Sequence, residues 1–226
     1  MEKRLIIIDC YSLLFRAFHA LPPLNNEKGQ PTGAVYGFLL TLFKAIKDVQ
    51  GNYVVACADT KKPTFRHEAF EGYKAHRPEA PQGIVPQFGI MREVLEAFDI
   101  PVFEKEGYEA DDLVATISQL AKKEADVFIL SGDLDNLQLV DDKVKLYTLG
   151  KGIKDSIVYD EARVVERFGV KPKQMNDFKA LTGDASDNVP GVPGIGKKTA
   201  AELILQYGSI ENLYSELSTD TAVLRP

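Results

Sequence analysis

Arg4-Leu5-Ile6-Ile7-Ile8-Asp9-Cys10 decides the fold. Its apolar residues run without alternation and stop at a carboxylate. A strand apolar at every position is buried on both faces, as in the middle of a parallel sheet. Tyr53 to Ala58 repeats the pattern and is ended by Asp59; Val127 to Leu130 repeats it and leads into Ser131-Gly132-Asp133-Leu134-Asp135. Between these strands lie stretches of helical period. Gly33 to Val49 carries Val35, Phe38, Leu39, Leu42, Phe43 and Ile46 as a core-facing stripe, Val85 to Phe98 is amphipathic, and an acidic helix runs from Tyr108 to about Glu124. A short strand at Pro101 to Phe103 and an edge strand at Lys143 to Leu149 complete the sheet.

Strand–helix alternation of this kind predicts an α/β fold with a doubly wound, mainly parallel sheet that takes ligands at the carboxyl ends of its strands. The last third reads as helices, at Asp160 to Phe168, Lys173 to Thr182, Lys197 to Tyr207 and Ile210 to Leu217. The expected organisation is a core over 1–159, with an insertion at about 60–84, and a helical region over 160–226.

The chain has 226 residues, 45% of them hydrophobic, so it can bury a substantial core. No run reaches the length of a membrane span, and no signal-like segment precedes the charged start, so a cytoplasmic, membrane-free protein is expected. Cys10 and Cys57 read as small buried core residues rather than a disulfide framework.

Acidic residues gather where the chemistry is expected. Tyr108-Glu109-Ala110-Asp111-Asp112 places three carboxylates at the start of one helix. Taken alone they read as a well-capped, solvated helix start, favoured by the helix dipole. Asp9, Asp59, Asp133, Asp135, Asp184 and Asp187 change that reading, because strand ends on one sheet edge converge. Nine acids, with no set of histidine or cysteine ligands, favour Mg²⁺ or Mn²⁺. Two such ions stabilise the attacking and leaving oxygens of an in-line displacement at phosphorus. The formal net charge is −6, yet setting these nine acids aside leaves 27 basic against 24 acidic residues. Overall acidity therefore does not exclude a nucleic acid.

After Asp59 the sequence turns basic, with Lys61, Lys62, Arg66, Lys74 and Arg77 among Phe65, Phe70 and Tyr73. Basic residues interleaved with aromatics suit a surface for single-stranded nucleic acid, and equally a solvated loop. Gly194-Ile195-Gly196-Lys197-Lys198-Thr199 opens a helix with two glycines. It reads as a helix-hairpin-helix that grips duplex backbone through free N–H groups, or as a tight helix–helix turn.

In combination these motifs resemble a known family. Ile8-Asp9-Cys10-Tyr11-Ser12-Leu13-Leu14-Phe15-Arg16-Ala17-Phe18-His19, Tyr73-Lys74-Ala75-His76-Arg77, Tyr108 to Asp112 and Gly183-Asp184-Ala185-Ser186-Asp187-Asn188-Val189-Pro190-Gly191 are similar to the 5′→3′ exonuclease domain of bacterial DNA polymerase I, in the flap endonuclease family. The resemblance implies a PIN-like 5′ nuclease fold and cleavage at 5′ flaps and 5′ ends of DNA, and of RNA primers, with two divalent ions. It carries metal binding onto Asp9, Asp59, Glu109, Asp111, Asp112, Asp133, Asp135, Asp184 and Asp187. Lys74 and Arg77 become the bases beside the scissile phosphate, and Tyr73 a stacking residue. Arg16 lies near the 5′ strand. Gly194, Gly196, Lys197 and Lys198 form the duplex-binding hairpin, where K⁺ can sit.

A nicked, gapped or flapped duplex is the implied partner, with a polymerase in the same chain or in trans, and the protein is expected to act as a monomer. The family usually carries further helices beyond Leu217, a departure that bears on duplex grip. Two other readings stand beside this one: a PIN-like ribonuclease and a junction-binding module without activity.

Overall fold

The computed structural model describes residues 2–150, 152 and 155–218; Thr219 to Pro226 lie outside the described residues. Six strands form one sheet: β1 (Arg4–Asp9), β2 (Tyr53–Cys57), β3 (Val102–Phe103), β4 (Asp126–Leu130), β5 (Val144–Leu149) and β6 (Ser156–Tyr159). Their order is β3-β2-β1-β4-β5-β6, parallel except for β6, which runs antiparallel to β5. The sheet is the mixed, mainly parallel one expected. Lys143 to Leu149 is not its edge, however. Ser-Ile-Val-Tyr pairs outside it, and four residues carry too little pattern to announce a strand.

β1 is central because both of its faces are apolar. Ile6 and Ile8 enter one core cluster, and Leu5 and Ile7 the other. All four are buried, and a one-residue slip would exchange the faces of the whole strand. Truncating Ile7 to alanine costs about 2–5 kcal/mol. The helices α1 (Cys10–Ala20), α2 (Gly33–Val49) and α4 (Val85–Ala97) supply the first cluster. The second is supplied by α5 (Ala110–Ala121) together with the carboxyl-terminal helices α6 (Glu161–Phe168), α7 (Met175–Thr182) and α8 (Lys197–Tyr207). Helix α9 (Ile210–Ser218) packs on α8, and the five-residue α3 (Phe65–Ala69) lies within the basic insertion.

Several boundaries and one core assignment differ from the sequence reading. The acidic helix stops at Ala121, and the segment from Lys173 begins as a 3-10 turn, Pro172–Gln174, before α7. Phe43 is 47% exposed and meets the likewise exposed Phe98 edge-on, with centroids 5.6 Å apart. The apolar stripe of α2 is wider than the arc its neighbours cover.

Between α7 and α8 the chain folds back on itself. Gly183 has φ +76°, and a Cβ there would lie 2.5 Å from the Gly191 nitrogen. A Cβ on Gly191 would meet Thr182 carbon at 2.4 Å, so neither site admits a side chain. Among the described residues, no helix is long and apolar enough to cross a membrane.

Candidate active site

The chain leaves β1 toward β2 on one side and later returns to β4 on the other. The carboxyl ends of β1 and β4 therefore flank a switch point, where a doubly wound sheet opens a crevice. A cavity of about 390 Å³ lies there, lined by Asp9, Tyr11, Ser12, Phe15, Asp59, Lys74, Arg77, Glu109, Ala110, Asp111, Gly132 and Asp133.

Asp9 closes β1 and caps α1. Its carboxylate accepts the Ser12 N–H at 3.4 Å and the Ser131 hydroxyl at 2.6 Å, and only 4% of the residue is exposed. Burial, with Asp59 and Asp133 nearby, pushes its pKa up to about 7 against the lowering pull of Ser131. Asp111 faces it from the first turn of α5. Burial raises its pKa to about 8, with Asp9 and Asp133 adding repulsion, although Asn136 donates to it at 3.3 Å. Asp59 accepts the Ala110 N–H at 2.8 Å, and burial raises it too.

A second acidic group lies alongside. Carboxylate oxygens of Asp135, Asp184 and Asp187 come within 4.8 Å of one another, close enough to share one cation. The Lys179 ammonium binds Asp135 and, at 2.8 Å, Asp184. Burial and Asp133 push Asp135 up to about 6, against the pull of Lys179. For Asp184 burial is outweighed by bonds from Lys179 and Ser186, which hold it down at about 2.

The basic insertion is folded down over both groups. Lys74 Nζ lies 2.8 Å from Glu109 Oε1, and Arg77 donates to Asp187 at 2.6 Å. The Tyr73 hydroxyl donates to Glu109 at 2.9 Å and to Asp187 at 3.2 Å. Lys74 sits in the left-handed region at φ +56°, with its N–H bonded to the Asp187 carbonyl. A non-glycine residue held there costs on the order of 1 kcal/mol, a strain that recurs at functional sites. Tyr73, expected to stack, is only 9% exposed. Its ring is covered edge-on by His67, at 5.2 Å between centroids, and by the Lys74 ammonium at 4.8 Å.

Asp112 joins neither group. Arg66 takes both of its oxygens at 2.8 Å, and the Glu109 N–H takes one at 3.0 Å, closing a capping box on α5. Arg16 lies on the far side of Gly132 and donates to the Leu149 carbonyl at 3.3 Å. Gly194, Gly196, Lys197 and Lys198 stand exposed at the α7–α8 turn. Gly194 has φ +84°, and a Cβ on either glycine would meet nothing within 4 Å.

Sequence reasoning missed Lys179, Ser131 and Asn136, and took Arg66 only as one basic residue among several. A lysine inside a helix and an asparagine after a strand carry no local signal; only their partners in space mark them.

The carboxylates present a hard, all-oxygen donor set. Their mutual repulsion and burial are costs that divalent cations relieve, so the residues fit such ions.

Comparison with known proteins points the same way. Residues 4–169 match the family model described as 5′-3′ exonuclease, N-terminal resolvase-like domain, and residues 170–224 match 5′-3′ exonuclease, C-terminal SAM fold. The chain is 44% identical over 218 residues to DNA polymerase I of Bacillus caldotenax, covering 96% of this chain but 25% of that protein. It thus spans a quarter of the length of that relative. It is 42% identical to a 5′-3′ exonuclease of Bacillus subtilis strain 168, covering 96% of this chain and 75% of that one. Bacteriophage T5 flap endonuclease, solved in a pseudo-enzyme-product complex with DNA and metal ions, superposes with a TM-score of 0.76 at 28% identity. That match covers 95% of this chain and 79% of the other.

Proposed function

This chain belongs to the 5′-3′ exonuclease family, and from that premise we propose that it hydrolyses phosphodiesters at the 5′ ends and 5′ flaps of DNA. The observation that carries the proposal is one crevice holding Asp9, Asp59, Glu109, Asp111 and Asp133 with Lys74 and Arg77 at its rim. Acids that hold cations and cations that hold phosphate are the two halves of a phosphoryl-transfer site.

Asp9, Asp59, Glu109, Asp111 and Asp133 would hold one divalent ion, and Asp135, Asp184 and Asp187 a second, with Asp112 supporting the helix start instead. Bound there, such ions supply Lewis-acid polarisation of the phosphate and a hydroxide at neutral pH. The chain's own contribution is electrostatic. Lys74 and Arg77 would meet the negative charge that develops on the phosphoryl oxygens once ions bound at Glu109 and Asp187 release them from those carboxylates. Tyr73 ties Glu109 to Asp187, so the two acidic groups keep their relative position.

The α7–α8 hairpin, with Gly194, Gly196, Lys197 and Lys198, would hold unreacting duplex through backbone N–H groups, with K⁺ as its monovalent ion. RNA primers are the second substrate proposed, and Mg²⁺ or Mn²⁺ the ion.

The test is a 5′-labelled flap duplex and the matching RNA-primed duplex, incubated with Mg²⁺ and with EDTA, the products being sized. Release of the flap near the junction with Mg²⁺ alone is expected. Binding without cleavage would leave a junction-binding module; cleavage of single-stranded RNA in preference to flaps would make it a ribonuclease.

A further inference from the structure

Two uncharged polar side chains beside the crevice acids are almost wholly buried, Ser131 at 1% exposure and Asn136 at 2%. Burying an amide costs stability unless its hydrogen bonds are made. Those of Asn136 are made to the site. Facing a carboxylate, the amide presents its nitrogen: Nδ2 donates to Asp111 Oδ1 at 3.3 Å and to the Ser131 hydroxyl oxygen at 3.4 Å. An amide nitrogen only donates, so Ser131 Oγ accepts there and turns its own proton to Asp9 Oδ2, 2.6 Å away. The Asp133 N–H donates to the same Ser131 oxygen at 2.9 Å.

Asn136 lies on the short 3-10 helix Leu134–Leu139, which Asp133 caps. That segment carries Asp133 to the crevice and Asp135 to the second acidic group. Asn136 fastens it to α5 through Asp111 and, through Ser131, to the end of β1 at Asp9. One side chain therefore links acids brought by three separate elements.

We propose that Asn136 is the positioning residue of the crevice ion site, setting Asp111 directly and Asp9 through Ser131. The physical reason is repulsion. Carboxylates gathered without an ion repel one another, and donors are needed to hold them in place. Asn136 supplies those donors and adds no positive charge to compete with the ion. The second acidic group is built otherwise, with the Lys179 ammonium on Asp135 and Asp184. Supporting hydrogen bonds of this kind are worth about 10–100-fold in metal affinity or activity. The inference rests on the nuclease reading, and its test separates the two.

Mn²⁺ binding to the full chain, followed by the electron paramagnetic resonance of the free ion, reads the site without substrate or turnover. Asn136→Leu nearly keeps the volume and removes the amide. It is made in two backgrounds, Asp184→Asn, which disables the second group, and Asp111→Asn, which disables the crevice. In the first it should weaken the remaining Mn²⁺ by about tenfold; in the second it should leave the remaining ion unchanged. In the otherwise native chain, flap cleavage by Asn136→Leu should fall about tenfold at limiting Mg²⁺ and recover as Mg²⁺ is raised.

An equal loss of Mn²⁺ affinity in both backgrounds would overturn the proposal, because a merely structural Asn136 does not distinguish the two groups. No loss in the Asp184→Asn background would overturn it as well. Asn136→Met, apolar and more pliant, replaces the leucine variant if that one fails to fold. Unchanged Mn²⁺ affinity beside a wild type that cuts flaps would reject the positioning role and leave the nuclease standing. Affinity lost only with the crevice intact, in a protein that cuts nothing, would do the reverse.

Discussion

The Tyr73 hydroxyl donates a 2.9 Å hydrogen bond to Glu109, tying the basic insertion to the start of α5 across 36 residues of sequence. Glu109 is buried, so the bond is made away from water, where a donor to a carboxylate is worth most. Tyr73→Phe removes the hydroxyl and keeps the ring. The expected loss is about 2 kcal/mol, or about 6 °C in Tm. Urea unfolding without metal checks it; an unchanged midpoint would show that Lys74 alone satisfies Glu109.

Lys74 and the hairpin lysines divide the work between rate and grip. Lys74→Ala removes a charge at the crevice and should lower single-turnover cleavage by roughly 10²-fold, with binding little changed. Lys197→Ala/Lys198→Ala should weaken flap binding, flatten its salt dependence by about one to two units and spare the rate at saturation. Equal effects of both variants on affinity and rate would refute the division.

Lys179 already balances part of the second acidic group, through Asp135 and Asp184. Lys179→Ala leaves those carboxylates to repel one another. Its Tm without metal should fall by several degrees, and the rise on adding Mg²⁺ should exceed that of the wild type, since ligand binding to the native state alone raises stability. Scanning fluorimetry with and without Mg²⁺ reads both quantities. The same Mg²⁺ shift in the two proteins would argue that the ion does not bind at this group.

Asp9 and Asp111 make stability depend on pH in an unusual direction. Both ionise at 3.8 when unperturbed and at about 7 and about 8 in the fold, chiefly because of burial. Between about pH 4 and pH 8 the native state therefore holds protons that the unfolded chain has released, and metal-free stability falls as pH rises. Mg²⁺ competes for the same oxygens, so its stabilising effect should grow across that window. Asp111→Asn should flatten both trends. Tm at pH 5 and pH 8, with and without Mg²⁺, tests this; a metal shift of equal size at both pH values would contradict it.

Much of the sheet and part of the site were legible in the residues. Leu5 to Ile8 can be satisfied only by burial on both faces, so β1 had to be central, and parallel strands ending in Asp9, Cys57 and Leu130 had to open on one edge. The crevice acids Asp9, Asp59, Glu109, Asp111 and Asp133 follow from that edge. Ser156 to Tyr159 was not legible, because its four residues pair only once β5 is in place. Phe43 was assigned to the core on period alone, which tells which face a residue takes but not whether a neighbour covers it.

Apolar runs and the positions of charges along the chain are local properties, and they determined the fold class, the strand ends and the family pattern. Which carboxylate meets which cation is a property of distance in space. Arg66 and Asp112 are 46 residues apart, Tyr73 and Asp187 114, and Lys179 and Asp135 44. Only the tertiary structure could divide nine acids into a crevice, a second group and one structural cap. It alone buries Tyr73 and brings Asn136 to Asp111, because burial and Coulomb energy depend on separations that no sequence period encodes.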